Sequence, residues 1–258
     1  MGLLVRDLVE NAADLQLAGL VTEPGKGRDP GTVHPELPLL GQDQMAARLP
    51  SGCVIIDFSL AAALDGLLEQ ADVLGAPLVS GTTGFSAAQL DKLAAFSAKR
   101  PVVHASNFSV GIPALQMLLQ MLARTLPQGF DAEQVETHHV TKIDKPSGTA
   151  RHLAEDYEGV RQGEPGPTHS QRLGGVIGEH TWTFSDQEET LVLTHRAHSR
   201  QAFLRGILPA VRFVHGQAAG MFGLVDVLKG TAGPGRHEPA AKRGRSRITW
   251  RRRQPCGS

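Results

Sequence analysis

Residues 53–104, CVIIDFSLAAALDGLLEQADVLGAPLVSGTTGFSAAQLDKLAAFSAKRPVVH, decide the fold class. Three apolar runs stand in this stretch, at residues 53–58, 76–80 and 101–104, and a helical pattern separates each pair. Short, continuous β-branched runs predict strands that are covered on both faces. The first helical pattern carries Leu64, Leu67, Leu68 and Val73 behind Ser59 as its expected cap. The second carries Leu90, Leu93 and Ala94 and opens at Ser86, with Gln89 at capping-box spacing. Strands alternating with helices in this way predict a parallel α/β sheet with right-handed crossovers. Such sheets bind ligands beyond the carboxyl ends of their strands. That singles out the loops Asp57-Phe58-Ser59, Gly81 to Gly84 and Ala105 to Ser109.

Upstream, Leu4, Leu8 and Ala12 share one face of a predicted helix over residues 3–13, followed by a strand at 15–22 and a Gly/Pro loop at 24–31. Downstream, Pro113 stands at an expected helix start, ahead of an apolar face of Leu115, Leu118, Leu119, Leu122 and Leu126. The pattern then changes. Residues 135–141, 181–184 and 190–197 alternate polar and apolar, as half-buried strands of an open sheet do. Phe203, Leu204, Ile207, Leu208, Val211 and Val214 form the stripe of a closing helix, with a bend expected at Pro209. Two sheet types predict an α/β protein of two domains: a Rossmann-like parallel-sheet domain and a smaller α+β mixed-sheet domain.

Composition narrows the classes further. A chain of 258 residues has room for one large domain or two small ones, and 41% hydrophobic residues exclude wholesale disorder. Two cysteines, Cys53 and Cys256, exclude a disulfide framework and a four-thiolate zinc site. There is no apolar run of membrane-span length and no basic-then-apolar leader, so a soluble, cytoplasmic protein with no membrane partner is expected. The 26 basic and 26 acidic residues balance, yet residues 231–258 carry eight Lys/Arg against the single acid Glu238. This tail reads as a solvated, disordered extension rather than a nucleic-acid arm, because Trp250 is its only aromatic residue.

The densest polar cluster runs from Glu136 to Ala150, ETHHVTKIDKPSGTA. On a strand, His138 and Lys142 share a face: one exchanges protons near neutrality, the other is a cation. Ser147-Gly148-Thr149 then leads into a helix, whose free N–H groups and two hydroxyls suit an anion. Together these features suit a small acidic substrate. Solvated surface and a plain helix cap are the bland readings of the same residues. His138 and His139 are expected on opposite strand faces with no third ligand beside them, so no metal is assigned.

The string His138-His139-x-x-Lys142-x-Asp144-x-Pro146-Ser147-Gly148-Thr149-Ala150 resembles the signature of the dihydrodipicolinate (4-hydroxy-tetrahydrodipicolinate) reductase family. Ile56-Asp57-Phe58-Ser59, Gly81 to Phe85, Asn107 to Gly111, Gly178 to Thr181, His198-Ser199-Arg200 and Asp226-Val227-Leu228 extend the likeness, in order, across residues 1–228. The resemblance implies reduction of a cyclic imine dicarboxylate by NADH or NADPH in the diaminopimelate route to lysine, by a homotetramer. It implies a proton-transferring pair, His138 and Lys142, and substrate contacts from His139, Ser147, Gly148 and Thr149. It implies dinucleotide contacts from Met1, Glu23, Gly81, Thr82, Thr83, Ala105, Ser106, Asn107 and Phe108. The implied division is a dinucleotide-binding domain at 1–109 and 200–230, a substrate and tetramerisation domain at 110–199, and the tail at 231–258.

Four departures from the family qualify these expectations. The family's first strand and Gly-rich turn precede the point that Met1-Gly2 matches, so an incomplete sheet with two open edges is expected. Glu23 stands without an adjacent base, and Lys26 and Arg28 follow a few residues on, which favours NADH mildly over NADPH. The stretch between Ala150 and Gly178 reads as short by a strand and its loop. Residues 231–258 lie beyond the family's usual end. Two alternative readings stay open: a family member unable to hold cofactor, and, further back, a nucleic-acid binder acting through its Arg-rich tail.

Overall fold

The computed structural model describes residues 1–22, 34, 36–37, 39–161 and 166–231. The chain opens with α1 (Gly2–Glu10), β1 (Leu20–Thr22) and β2 (Leu39–Gly41), followed by α2 (Met45–Arg48). Then come β3 (Ile55–Asp57), α3 (Leu64–Leu74), β4 (Leu78–Ser80), α4 (Ala87–Ser97) and β5 (Pro101–His104). The helix α4 starts where its capping box predicts: Ser86 Oγ accepts from the Gln89 N–H at 3.3 Å, and Gln89 Oε1 accepts from the Ser86 N–H at 3.0 Å. The expected cap of α3 is overturned. The Ser59 hydroxyl donates to Asp57 at 2.6 Å, Ala63 takes the cap position, and Val73 points to solvent.

The second half holds α5 (Gly111–Thr125), β6 (Asp131–His138), α6 (Gly148–Arg161), β7 (Thr168–Arg172), β8 (Glu179–Ser185) and β9 (Thr190–Arg196). The described residues end with α7 (Ile207–His215), β10 (Gly220–Phe222) and α8 (Leu224–Thr231). Pro209 is the third residue of α7, where its missing N–H would have had no acceptor, so no bend is needed there. Among the described residues between Ala150 and Gly178, the chain forms one strand, β7, parallel to β6. It is wholly polar (THSQR), so hydropathy alone does not announce it.

Among the described residues, three sheets result. A parallel sheet has the order β10-β5-β4-β3, a mixed sheet the order β7-β6-β8-β9, and β1 and β2 pair by themselves in parallel. Period-two alternation covers both faces of the first sheet. Val79 and Val103 pack against Val211, Val214 and Val227 on one side, while Leu78 and Val102 pack against Leu67, Ala71 and Leu93 on the other. The mixed sheet buries one face, with Trp182 and Phe184, under Leu115 and Leu119 of α5 and Leu153 and Tyr157 of α6. Among the described residues, β1 pairs only with β2, and β3 only with β4. An apolar cavity of about 700 Å³ lies between them, lined by Val5, Val9, Leu17, Val21, Ile56 and Val211. Glu23, Lys26, Arg28 and the tail from residue 232 lie outside the described residues.

Candidate active site

The carboxyl ends of the parallel strands and the carboxyl end of β6 open on one cleft of about 970 Å³. Strand β6 ends at His138, so Lys142 does not reach the cleft by strand periodicity. The chain turns instead, with the Lys142 N–H donating to His139 O at 3.1 Å, and the turn brings both residues to the same cavity. That corrects the expected strand through residue 141. It also places His139, expected on the opposite face, in the cleft wall, where its Nδ1 lies 2.7 Å from Thr141 Oγ1.

Alternation along β6 puts Glu136 and His138 on one buried face, and Glu136 Oε2 meets the His138 Nδ1. A neutral imidazole bonded in this way carries its proton on Nδ1, which leaves Nε2 as its free nitrogen. Gly178 makes room for that nitrogen: a Cβ there would lie 3.2 Å from it. Burial pulls His138 below the ordinary histidine pKa, Glu136 works against that, and Lys142 and Arg172 repel its charged form. His180 stands edge-on to His138 at 5.4 Å, and burial pushes its pKa down to about 4, so it is neutral at physiological pH.

The Lys142 ammonium pairs with Asp144 at 2.7 Å, and this contact holds the Asp144 carboxyl below its usual value. Ser147 starts α6 by accepting the Ala150 N–H at 3.1 Å, and its hydroxyl lies 3.3 Å from His180 Nε2. Gly148 and Thr149 occupy the first turn of α6, where N–H groups have no intrahelical acceptor, and both line the cleft.

On the opposite wall, Met1, Gly81, Thr83, Ser106 and Asn107 line the cleft. Gly81 is required by close approach, since a Cβ there would lie 2.1 Å from the Phe58 ring. Thr82, Ala105 and Phe108 are not in the wall. Thr82 is buried, and its carbonyl meets His104 Nε2 at 3.1 Å. Phe108 is fully buried, 5.6 Å from Phe58 centroid to centroid. Asn107 Nδ2 donates to Thr149 Oγ1 at 3.4 Å, joining the two walls.

The donor set fits a dinucleotide in part. Met1 at the start of α1, Gly81 and Thr83 face the cleft together, and Gly81 keeps the backbone bare beside the Phe58 ring. Sequence reasoning assigned no role to Glu136, Arg172, His180, His195 or Gly178. Glu136 was within reach, because it stands two residues before His138 on a strand. The others needed the register of β7, β8 and β9 on β6.

A parallel sheet presenting its loops to a polar cleft, faced by a His, a Lys and a helix start on a second domain, defines the class of two-domain dinucleotide-dependent reductases. Comparison supplies the particular family. Residues 1–108 match the family description "Dihydrodipicolinate reductase, N-terminus" and residues 111–228 match "Dihydrodipicolinate reductase, C-terminus". A 4-hydroxy-tetrahydrodipicolinate reductase of Anaeromyxobacter sp. (strain Fw109-5) is 36% identical over 88% of this chain and 93% of its own length. One of Stenotrophomonas maltophilia (strain K279a) is 39% identical over 88% of this chain and 92% of its own length. A dipicolinate-bound dihydrodipicolinate reductase from Paenisporosarcina sp. TG-14 shares the fold, with TM-score 0.69, 23% identity, and coverage of 84% of this chain and 91% of its own. The chain belongs to the dihydrodipicolinate reductase family. Among the described residues, no helix is long and apolar enough to cross a membrane.

Proposed function

We propose that the protein reduces the cyclic imine dicarboxylate derived from 4-hydroxy-tetrahydrodipicolinate to tetrahydrodipicolinate, with NADH or NADPH, in the diaminopimelate route to lysine. The observation that carries this reading is one cleft shared by His138, Lys142, the start of α6, and the loops at Gly81 and Asn107. A dinucleotide would be held by the α1 start with Met1, by Gly81 to Thr83 and by Ser106-Asn107; when bound it supplies the hydride. Reduction drives negative charge toward the ring nitrogen, and the resulting enamine needs a proton. His138, oriented by Glu136, hands over that proton from its protonated form, with the Lys142 cation beside it. The substrate carboxylates replace Asp144 at Lys142 and take the first N–H groups of α6. His139 closes that side of the cleft.

The finer choices are part of the same proposal. The mild NADH preference rests on Glu23. The division follows residues 1–109 with 200–230 for dinucleotide and 110–199 for substrate. A homotetramer is supported by the Thr/Val face of the mixed sheet opposite the helices, where Val135, Thr181, Thr183, Val192 and Thr194 share one side. The cytoplasm is the proposed compartment, because those coenzymes circulate there.

The test is NADH or NADPH consumption with enzymatically generated substrate, together with pyridine-2,6-dicarboxylate titrations. The His138→Ala, Lys142→Ala double variant is expected to lose about 10²–10⁴-fold in kcat; turnover equal to the parent would overturn the roles assigned here. Among the described residues the edges of β1 and β3 that face each other are unpaired, which favours a second reading, in which the substrate site persists without dinucleotide binding. Saturable NADH binding, tightened by the dicarboxylate, eliminates that reading.

A further inference from the structure

We propose that Glu136 and Arg172 are the positioning residues of this site, a buried pair across β6 and β7 that fixes His138 on one side and the Lys142 loop on the other. The proposal rests on the proton-transfer reading of His138 and Lys142. Its geometry follows from sheet register. Glu136 and His138 are two apart on β6, and the parallel ladder sets Ser170 beside Glu136 and Arg172 beside His138. All four side chains therefore share one face.

Glu136 is fully buried, and neither it nor Arg172 lines the cleft. The Arg172 guanidinium, 6% exposed, lies 2.8 Å from Glu136 Oε1. Three more of its N–H groups go to backbone: Nε to Lys142 O at 3.2 Å, Nη1 to Gln171 O at 2.6 Å and Nη2 to Asp144 O. Two of these acceptors belong to the loop that carries the Lys142 ammonium. The second oxygen of Glu136 accepts the hydrogen bond from His138 Nδ1–H. One carboxylate and one guanidinium thus hold both proton-handling groups without touching a ligand.

Strand pairing alone does not call for this arrangement. A buried ion pair is seldom more stabilising than a well-packed apolar pair of similar size, and the best-attested use of such pairs is to enforce one geometry. The forked, bidentate capacity of Arg is what allows a single side chain to brace a carboxylate and a loop together.

The groups facing the His138 imidazole are Glu136 from its own strand, Arg172 from β7, His180 from β8 and Lys142 from the loop, with His195 of β9 behind His180. Glu136 is the only anion in this set. Glu136→Gln is therefore expected to move the His138-dependent limb of the kcat/KM pH profile down by about one unit. It should lower kcat about 10–100-fold and leave the KM for the dicarboxylate nearly unchanged. In a His138→Ala background the same substitution should change kcat by less than about twofold, because residues acting as one unit are non-additive. Arg172→Lys keeps the charge and loses the fork, so it should raise the dicarboxylate KM and leave the pH limb in place.

An unchanged kcat and pH profile in Glu136→Gln, or an equal drop in the His138→Ala background, would overturn the proposal. If His138→Ala itself turns over like the parent, the proton-transfer reading falls and takes this one with it. Where a variant fails to fold, nitrogen NMR of His138 in the unaltered protein decides. The neutral ring should carry its proton on Nδ1, and a proton on Nε2 would overturn the assignment.

Discussion

The two larger sheets of this chain differ in how completely they are paired. In the mixed sheet, β6 and β8 run eight and seven residues and are bonded on both sides. Among the described residues, no strand of the parallel sheet exceeds four residues, and β3 leaves one edge toward the apolar cavity that separates it from β1. Unpaired edge groups gain nothing from a ladder, and side chains lining a cavity lose contacts on one side. His138 ends the well-paired strand β6 and the turn carrying Lys142 follows it, where Glu136 and Arg172 contact them. The cleft loops at Gly81 and Asn107 hang from short strands, where local opening is easier.

The largest expected contrast comes from core truncation. Trp182→Ala should cost about 3–5 kcal/mol, because the ring is buried among Tyr157, Phe184 and α5. Val5→Ala, beside the existing cavity, should cost only about 1–2 kcal/mol. Denaturant unfolding measures both, and equal losses would break the comparison.

Next in size is a pH effect on the mixed sheet. His180 has a folded pKa near 4, below the ordinary 6.5, so the unfolded chain binds more protons between those values. Its contribution is present above pH 6.5 and is lost as pH falls toward 4, on the order of 3 kcal/mol. His180→Gln should flatten that part of the stability curve; an unaltered slope counts against it.

Hydrogen exchange sharpens the comparison at the backbone. Amides of β6 and β8 should exchange at least about tenfold more slowly than those of β1 and β3. Similar protection in the two sheets would show that the open edges carry no penalty. The smallest expected effect is local. Gly84 has φ +81° and no neighbour within 4 Å of an added Cβ, so Gly84→Ala should cost about 1 kcal/mol through backbone strain alone. A neutral result in thermal unfolding would show that this loop shifts freely.

Legibility followed local chemistry. The runs at 53–58, 76–80 and 101–104 were readable because strands covered on both faces must be apolar throughout, and α4 because its capping box is a local pair. Strand β7 was hidden by its five polar residues, and β2 (LLG) and β10 (GMF) by having no β-branched residue. In the site, the string from His138 to Thr149 announced itself, yet the strand pattern did not foretell the turn that delivers Lys142. Thr82, Ala105 and Phe108 belong to loops that reach the cleft, but which residues of a loop face a cleft depends on backbone direction.

By itself, then, the sequence determined the alternation of strands and helices, the family, and the cluster of His, Lys, Ser and Thr, because these reside in residue type and short spacing. Only the tertiary structure decided that Glu136 and Arg172 meet beneath that cluster, that His180 stays neutral behind it, and that β1 and β3 stand apart. These depend on register between strands distant in sequence, and on burial, which no residue carries until the chain has folded around it.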